Sequence, residues 1–181
     1  MRIREDIILP VDMSRLVFGD PDFIKWAKEK SFDEVYDTCP RGDWMMVMYI
    51  NTDSPSYRKI MRVAGDCIYN VRHLTSADYN TMRNIDIIRQ VGVGFLHVHR
   101  FRDMYTEFYY DGSEYEIACA IGALSEIKLH SSVYAMRYIP EAARAAARKI
   151  MTVHPNTVYA LHQKTNADIF RKYIHKSDFN N

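Results

Sequence analysis

Cys39-Pro40-Arg41-Gly42-Asp43-Trp44 sets a thiol, a guanidinium, a carboxylate and an indole within one short string. Pro40 fixes its own φ and Gly42 permits close backbone approach, so the string reads as a constrained corner. Two roles are open to it. It could lock two helices together, with Arg41 and Asp43 pairing or capping. It could instead form a pocket edge that presents Arg41, Asp43 and Trp44 to a ligand or partner. Arginines recur elsewhere. Arg58 and Arg62 lie off the apolar stripe of one predicted helix, and Arg137, Arg144 and Arg148 follow one another at spacings of seven and four. That spacing forms a single stripe if the helix runs through Pro140. Such a stripe either pairs with acidic residues of the chain or docks an acidic partner or a phosphate-bearing ligand.

Catalytic chemistry has weaker support. His97-Val98-His99, with His130, would offer metal ligands if the segment were a strand, where alternate residues share a face. On a helix the two point apart, and the helical reading of this segment predicts no metal site. Gly92-Val93-Gly94 lacks the third glycine and the preceding strand of a dinucleotide-binding loop, and neither a P-loop nor a G-x-S-x-G elbow is present. Cys39, Cys67 and Cys119 are too dispersed for a metal cluster and read as reduced thiols of a cytoplasmic protein. Asp111, Glu114 and Glu116 cluster near a turn, with Glu116 accounted for as a capping residue. The sequence therefore predicts no catalytic residue, no cofactor and a non-enzymatic protein.

The elements that position these residues read as helices. Asp20-Pro21 is an N-cap followed by a proline at the first helical position, and Ser31 with Glu34 forms a capping box. Cys39-Pro40 ends that second helix. The apolar run 44–50 suits either a buried strand or a central helix, and its flanks favour the helix. Ser54-Pro55 opens the clearest amphipathic helix, with Tyr57, Ile60, Met61, Ala64, Cys67, Ile68 and Val71 on one stripe. A weaker helix over 76–90 is closed by Gly92 and Gly94. Residues 95–110 are expected to be helical, and a second capping box at Ser113 to Glu116 opens the next helix. Pro140 is expected to restart a helix through the alanines of 142–147. Pro155 begins the last helix, with Val158, Leu161 and Ile169 inward. The expected fold is all-α: a single domain over 1–181 of about eight or nine helices, with an extended segment at 1–18 and a flexible tail at 175–181.

Composition agrees. The 181 residues are 48% hydrophobic and 26% charged, a globular balance, with few glycines (7) and prolines (6) and many tyrosines (13) and methionines (10). No apolar run is long enough for a membrane span, and the first residues do not read as a signal peptide. The net charge of +1 argues against a chain-wide grip on nucleic acid. It conceals a division, since residues 1–127 carry net −5 and residues 128–181 net +6.

Phe23-x-x-Trp26-Ala27, Val35-Tyr36 and then Cys39-Pro40-Arg41-Gly42-Asp43-Trp44 resemble the N-terminal signature of the Imm-five-like immunity proteins. The helix carrying Asp66-Cys67 is similar to that family's second characteristic helix, and Ala167-Asp168-Ile169-Phe170-Arg171-Lys172 to its closing segment. The overlap covers about residues 20–75 and 165–174. The family's alanine-rich middle persists only at 142–147, which implies a divergent member. The resemblance implies a helical bacterial protein, encoded near toxin genes or carried by a phage, that neutralises a toxin or a defence-system component by protein binding.

Two further functions are weighed beside it. One is a helical pocket that sequesters a nucleotide or other phosphate through Arg41, Arg58, Arg62 and the Arg137, Arg144, Arg148 stripe. The other is a structural or assembly component such as a phage homo-oligomer.

Overall fold

The computed structural model describes residues 20–74, 79–97, 113–126, 128–149 and 154–179. All the regular structure among them is helical: α1 Pro21–Ala27, α2 Phe32–Thr38, α3 Gly42–Ile50, α4 Tyr57–Val71, α5 Tyr79–Val93, α6 Ser113–Ser125, α7 Leu129–Lys149 and α8 Pro155–Tyr173. Short 3-10 turns follow α4 at Arg72–Leu74 and α8 at Lys176–Phe179. The chain is thus an all-α bundle of eight helices among the described residues. The expected extended segment at 1–18 and most of the expected helix at 95–110 lie outside these residues. Phe95 and Leu96 form a bend rather than a helix start.

The predicted caps of α1 and α2 form, while α4 is capped by Ser56 rather than opened at Ser54-Pro55. Asp20 accepts from the Asp22 amide at 3.0 Å to start α1. Ser31 and Glu34 satisfy each other's amides in the capping box of α2. α5 runs past Gly92 and ends one turn further on than expected, at Gly94, whose φ of +85° closes the helix. α7 passes unbroken through Pro140, so this proline does not restart a helix. It removes one backbone hydrogen bond, and its buried ring joins the core.

α3 is the hub. Residues 42–49 are all buried, so this helix has no solvent face, and it packs against both α7 and α8. Its helical state resolves the ambiguity of 44–50: α7 and α8 enclose it on several sides, which a helix apolar all round requires. α4 pairs with α5, and α6 with α7. Gly42 is required where α3 meets α8, because a Cβ there would lie 2.6 Å from the Cβ of Asn166.

The chain after α8 is not a free tail. Phe179 is buried, and its ring contacts those of Phe32, Tyr36, Tyr49 and Phe170 at centroid distances of 5.1 to 6.4 Å. Lys59 pairs with Asp178 at 2.6 Å and fixes this turn on α4. The sequence conceals this anchor because a lone Phe among polar residues has no periodicity. Conversely Leu161, expected inward, is 61% exposed.

Phe179→Ala should lower unfolding free energy by about 3 kcal/mol, the cost of truncating a core phenylalanine. Urea denaturation measures it, and a change within about 0.5 kcal/mol would restore the flexible tail.

Candidate functional site

The corner string folds into a closed set of polar contacts. Asp43, in the first turn of α3, is fully buried. Arg41 grips it with two hydrogen bonds, Nε to Oδ1 at 3.0 Å and Nη2 to Oδ2 at 2.7 Å. Arg137 of α7 donates from Nε to the same Oδ2 at 3.4 Å. Arg41 also reaches Asp20 at 3.4 Å and lies over the Trp44 ring at 4.3 Å. Trp44 donates its indole N–H to Asp20 Oδ2 at 2.9 Å and packs against Phe23 and Trp26. Asp20 therefore caps α1 with one oxygen and holds α3 with the other.

Electrostatics match this geometry. Burial disfavours the Arg41 charge, but the hydrogen bonds and charge of Asp43 outweigh it and hold the guanidinium above its ordinary value. Burial would raise the Asp20 carboxyl, yet the Trp44 N–H, the Asp22 amide and Arg41 hold it below its ordinary 3.8. Of the two roles open to the string, the structural corner is the one these contacts build.

The remaining arginines do not converge with it. Arg144 pairs with Glu141 at 2.5 Å and lies over Tyr159, while Arg148 is exposed beyond it. The stripe on α7 is therefore divided among α3, α8 and solvent. Arg58 is exposed on α4 and packs on Gly94, and Arg62, one turn later, lies over Tyr173 at 5.0 Å.

Burial pushes Cys39 up to about 11 and raises Cys67 well above its ordinary value. His130 lies on α7, His97 follows α5, and His99 is outside the described residues. Among the described residues no three His, Cys, Asp or Glu side chains gather as a metal site.

The feature that sequence reasoning missed is a groove of about 690 Å³ between α6 and α7. Tyr115 of α6 and Tyr134 and Tyr138 of α7 line it, with Ala118, Cys119, Gly122 and Ala123 between them. Glu126, which accepts from Ser131 Oγ at 2.8 Å, and His130 add polar groups. Tyr115 and Tyr134 are 51% and 41% exposed. Cys119 is half-buried against the Tyr115 hydroxyl, and burial raises its thiol. Among the described residues the lining contains no lysine or arginine. A run of small residues on α6 opposite tyrosines at i and i+4 on α7 was visible in sequence, but which helices pair was not.

No family model, no curated protein and no solved structure matches this chain. No helix among the described residues is long and apolar enough to cross a membrane.

Asp43→Ala should destabilise the chain by about 2–3 kcal/mol in chemical denaturation, below the usual cost of breaking a fully buried pair because both arginines retain some solvent. Asp20 gives a pH signature. Its carboxyl titrates lower in the folded than in the unfolded chain, so it stabilises the fold above pH 3.8 and that contribution fades as pH falls through the folded value. Unfolding curves from about pH 5 to about pH 2 should steepen in this sense, and Asp20→Asn should flatten them.

Proposed function

We propose that this chain is a non-enzymatic binding protein that neutralises a protein partner, with the α6–α7 groove as its recognition face. The observation that carries this reading is the presentation of Tyr115 and Tyr134, one from each helix, at 51% and 41% exposure beside a lining of small residues. Tyrosine offers a large, stiff contact surface with a hydroxyl at its edge, and exposed tyrosines are frequent anchors of protein interfaces. The small residues between them leave room for an inserted side chain, and Glu126 and His130 supply polar contacts at its edge.

The partner class comes from the resemblance to Imm-five-like immunity proteins, which supports a toxin or a component of a defence system. In that reading the corner string serves the scaffold and the tyrosine groove does the recognising. The nucleotide- or phosphate-sequestering alternative finds less support, because Arg41, Arg137 and Arg144 are engaged with carboxylates.

Co-expression with toxin or defence genes encoded beside this one should rescue growth, and the purified complex should survive gel filtration. Tyr134→Ala and Tyr115→Ala should each weaken the complex by roughly tenfold or more while leaving the unfolding midpoint within about 0.5 kcal/mol of wild type. Absence of rescue by every neighbour, or full protection by the double variant, would remove this reading.

A further inference from the structure

Building on the reading of the α6–α7 groove as a recognition face, we infer that its occupant is an extended basic segment of the partner protein, with one arginine at each end of the groove. α6 and α7 run antiparallel, which gives the groove two chemically different ends. At one end Tyr115 of α6 stands near Tyr138 of α7. At the other, Ser131 of α7 donates from Oγ to Glu126 Oε2 at 2.8 Å. Tyr115 and Glu126 are eleven residues apart, about 16 Å along a helix. Between the ends α6 contributes Ala118, Gly122 and Ala123, a floor of small residues along which a backbone can lie.

Both ends suit a cation. A hydrogen bond to Cys119 is the main cause that holds the Tyr115 phenol above its ordinary 10.0, and burial is the main cause that raises Tyr138. Both rings are therefore neutral phenols, and their electron-rich faces attract a guanidinium. Glu116 adds negative charge beside both. At the far end Glu126 supplies a full charge. Lys128 pairs with it at 3.7 Å, the two side chains being 61% and 53% exposed. Such an exposed pair is weak, and a guanidinium that takes both carboxylate oxygens replaces it with a forked one. The arginines of α7 do not compete, since Arg137 pairs with Asp43 and Arg144 with Glu141.

The distance between the ends selects the occupant. In an extended chain residues i and i+4 share a face and lie about 13 Å apart. Two arginines with three residues between them therefore reach both ends, their aliphatic stems lying along the small residues of α6. A single arginine engages one end only. A phosphate-bearing or carboxylate-rich ligand brings its charge against Glu126 and Glu116, where it is repelled.

NMR titration of the isotope-labelled full chain tests this with four short peptides carried to millimolar concentration: Arg-Ser-Gly-Ser-Arg, the same peptide with citrulline in place of both arginines, the isomer Arg-Arg-Ser-Gly-Ser, and Glu-Ser-Gly-Ser-Glu. The first should shift signals at both ends of the groove, bind at least about tenfold tighter than its citrulline form, and weaken as salt rises. The isomer, unable to reach both ends, should bind at least about threefold more weakly. Glu126→Gln should lose about fivefold in affinity for the first peptide. Lys128→Gln should gain affinity, a change that a merely structural role for Glu126 does not produce. Should Glu126→Gln fail to fold, the gain from Lys128→Gln must still appear. Equal binding of the arginine and citrulline peptides, equal binding of the isomer, tighter binding of the glutamate peptide, absence of shifts on α6 and α7, or unchanged affinity in both folded variants would each overturn the inference. The recognition face itself is judged by Tyr115→Ala and Tyr134→Ala in the whole complex, so the groove can keep its role while the basic occupant is lost.

Discussion

A carboxylate with no exposure to water must be met by cations, and Asp43 imposes that requirement on the whole bundle. Arg41 meets it from the same turn, and Arg137 meets it from α7. The second contact determines how α3 and α7 lie against each other. α3 has no polar face of its own to set its rotation, so its ends must do so. At one end stand Asp43 and Trp44. At the other, the Tyr49 hydroxyl accepts the Ser56 amide at 2.9 Å while the Tyr49 ring meets Phe170 and Phe179. With α3 fixed at both ends, α7 and α8 close around it. The groove between α6 and α7 inherits its position from that arrangement.

Arginine has three different employments in this fold. Arg41 and Arg137 neutralise a buried charge. Arg171 finishes a helix: its Nε donates to the Tyr36 carbonyl at 2.8 Å and its Nη2 to the Cys39 carbonyl at 2.6 Å, so a cation caps the end of α2. Arg62, Arg72 and Arg89 lie on tyrosine rings at the surface. The division of charge along the sequence therefore does not become one acidic half packed on one basic half. It breaks into local pairs, such as Asp43 with Arg41 and Arg137, and Asp66 with Arg89.

Much of the scaffold was legible because it is local. A cap needs only a residue type and a spacing of three, and Asp20, Ser31 and Glu34 act as their sequence implies. The stripe of α4 is equally local. The corner string could be seen as constrained, yet its partner Arg137 stands 94 residues away, so the choice between corner and pocket edge needed the fold. The same distance hid the rest. Phe179 has no periodic neighbours to mark it as core. Tyr115 and Tyr134 become neighbours only when α6 lies on α7. Leu161 fits an apolar stripe by spacing, but α8 turns that position to solvent and gives its inner face to Gln163, Asn166, Ala167 and Phe170. Asn166 is placed there by backbone proximity to Gly42 rather than by polarity, since its amide finds no partner among the described residues.

The seat of Phe179 has a consequence for biosynthesis. The ring that completes the aromatic cluster around Tyr36, Tyr49 and Phe170 comes from the last described residue, whereas α3, apolar on every side, is made early. While the ribosome is still adding α4 to α8, that helix has no finished core to enter. Domains mature as units, and an incomplete one exposes the surface it will later bury. This bundle therefore gains its closed core only after residue 179 has emerged, and a nascent chain must shelter α3 until then. A chain cut short before Phe179 lacks the ring that seals its core.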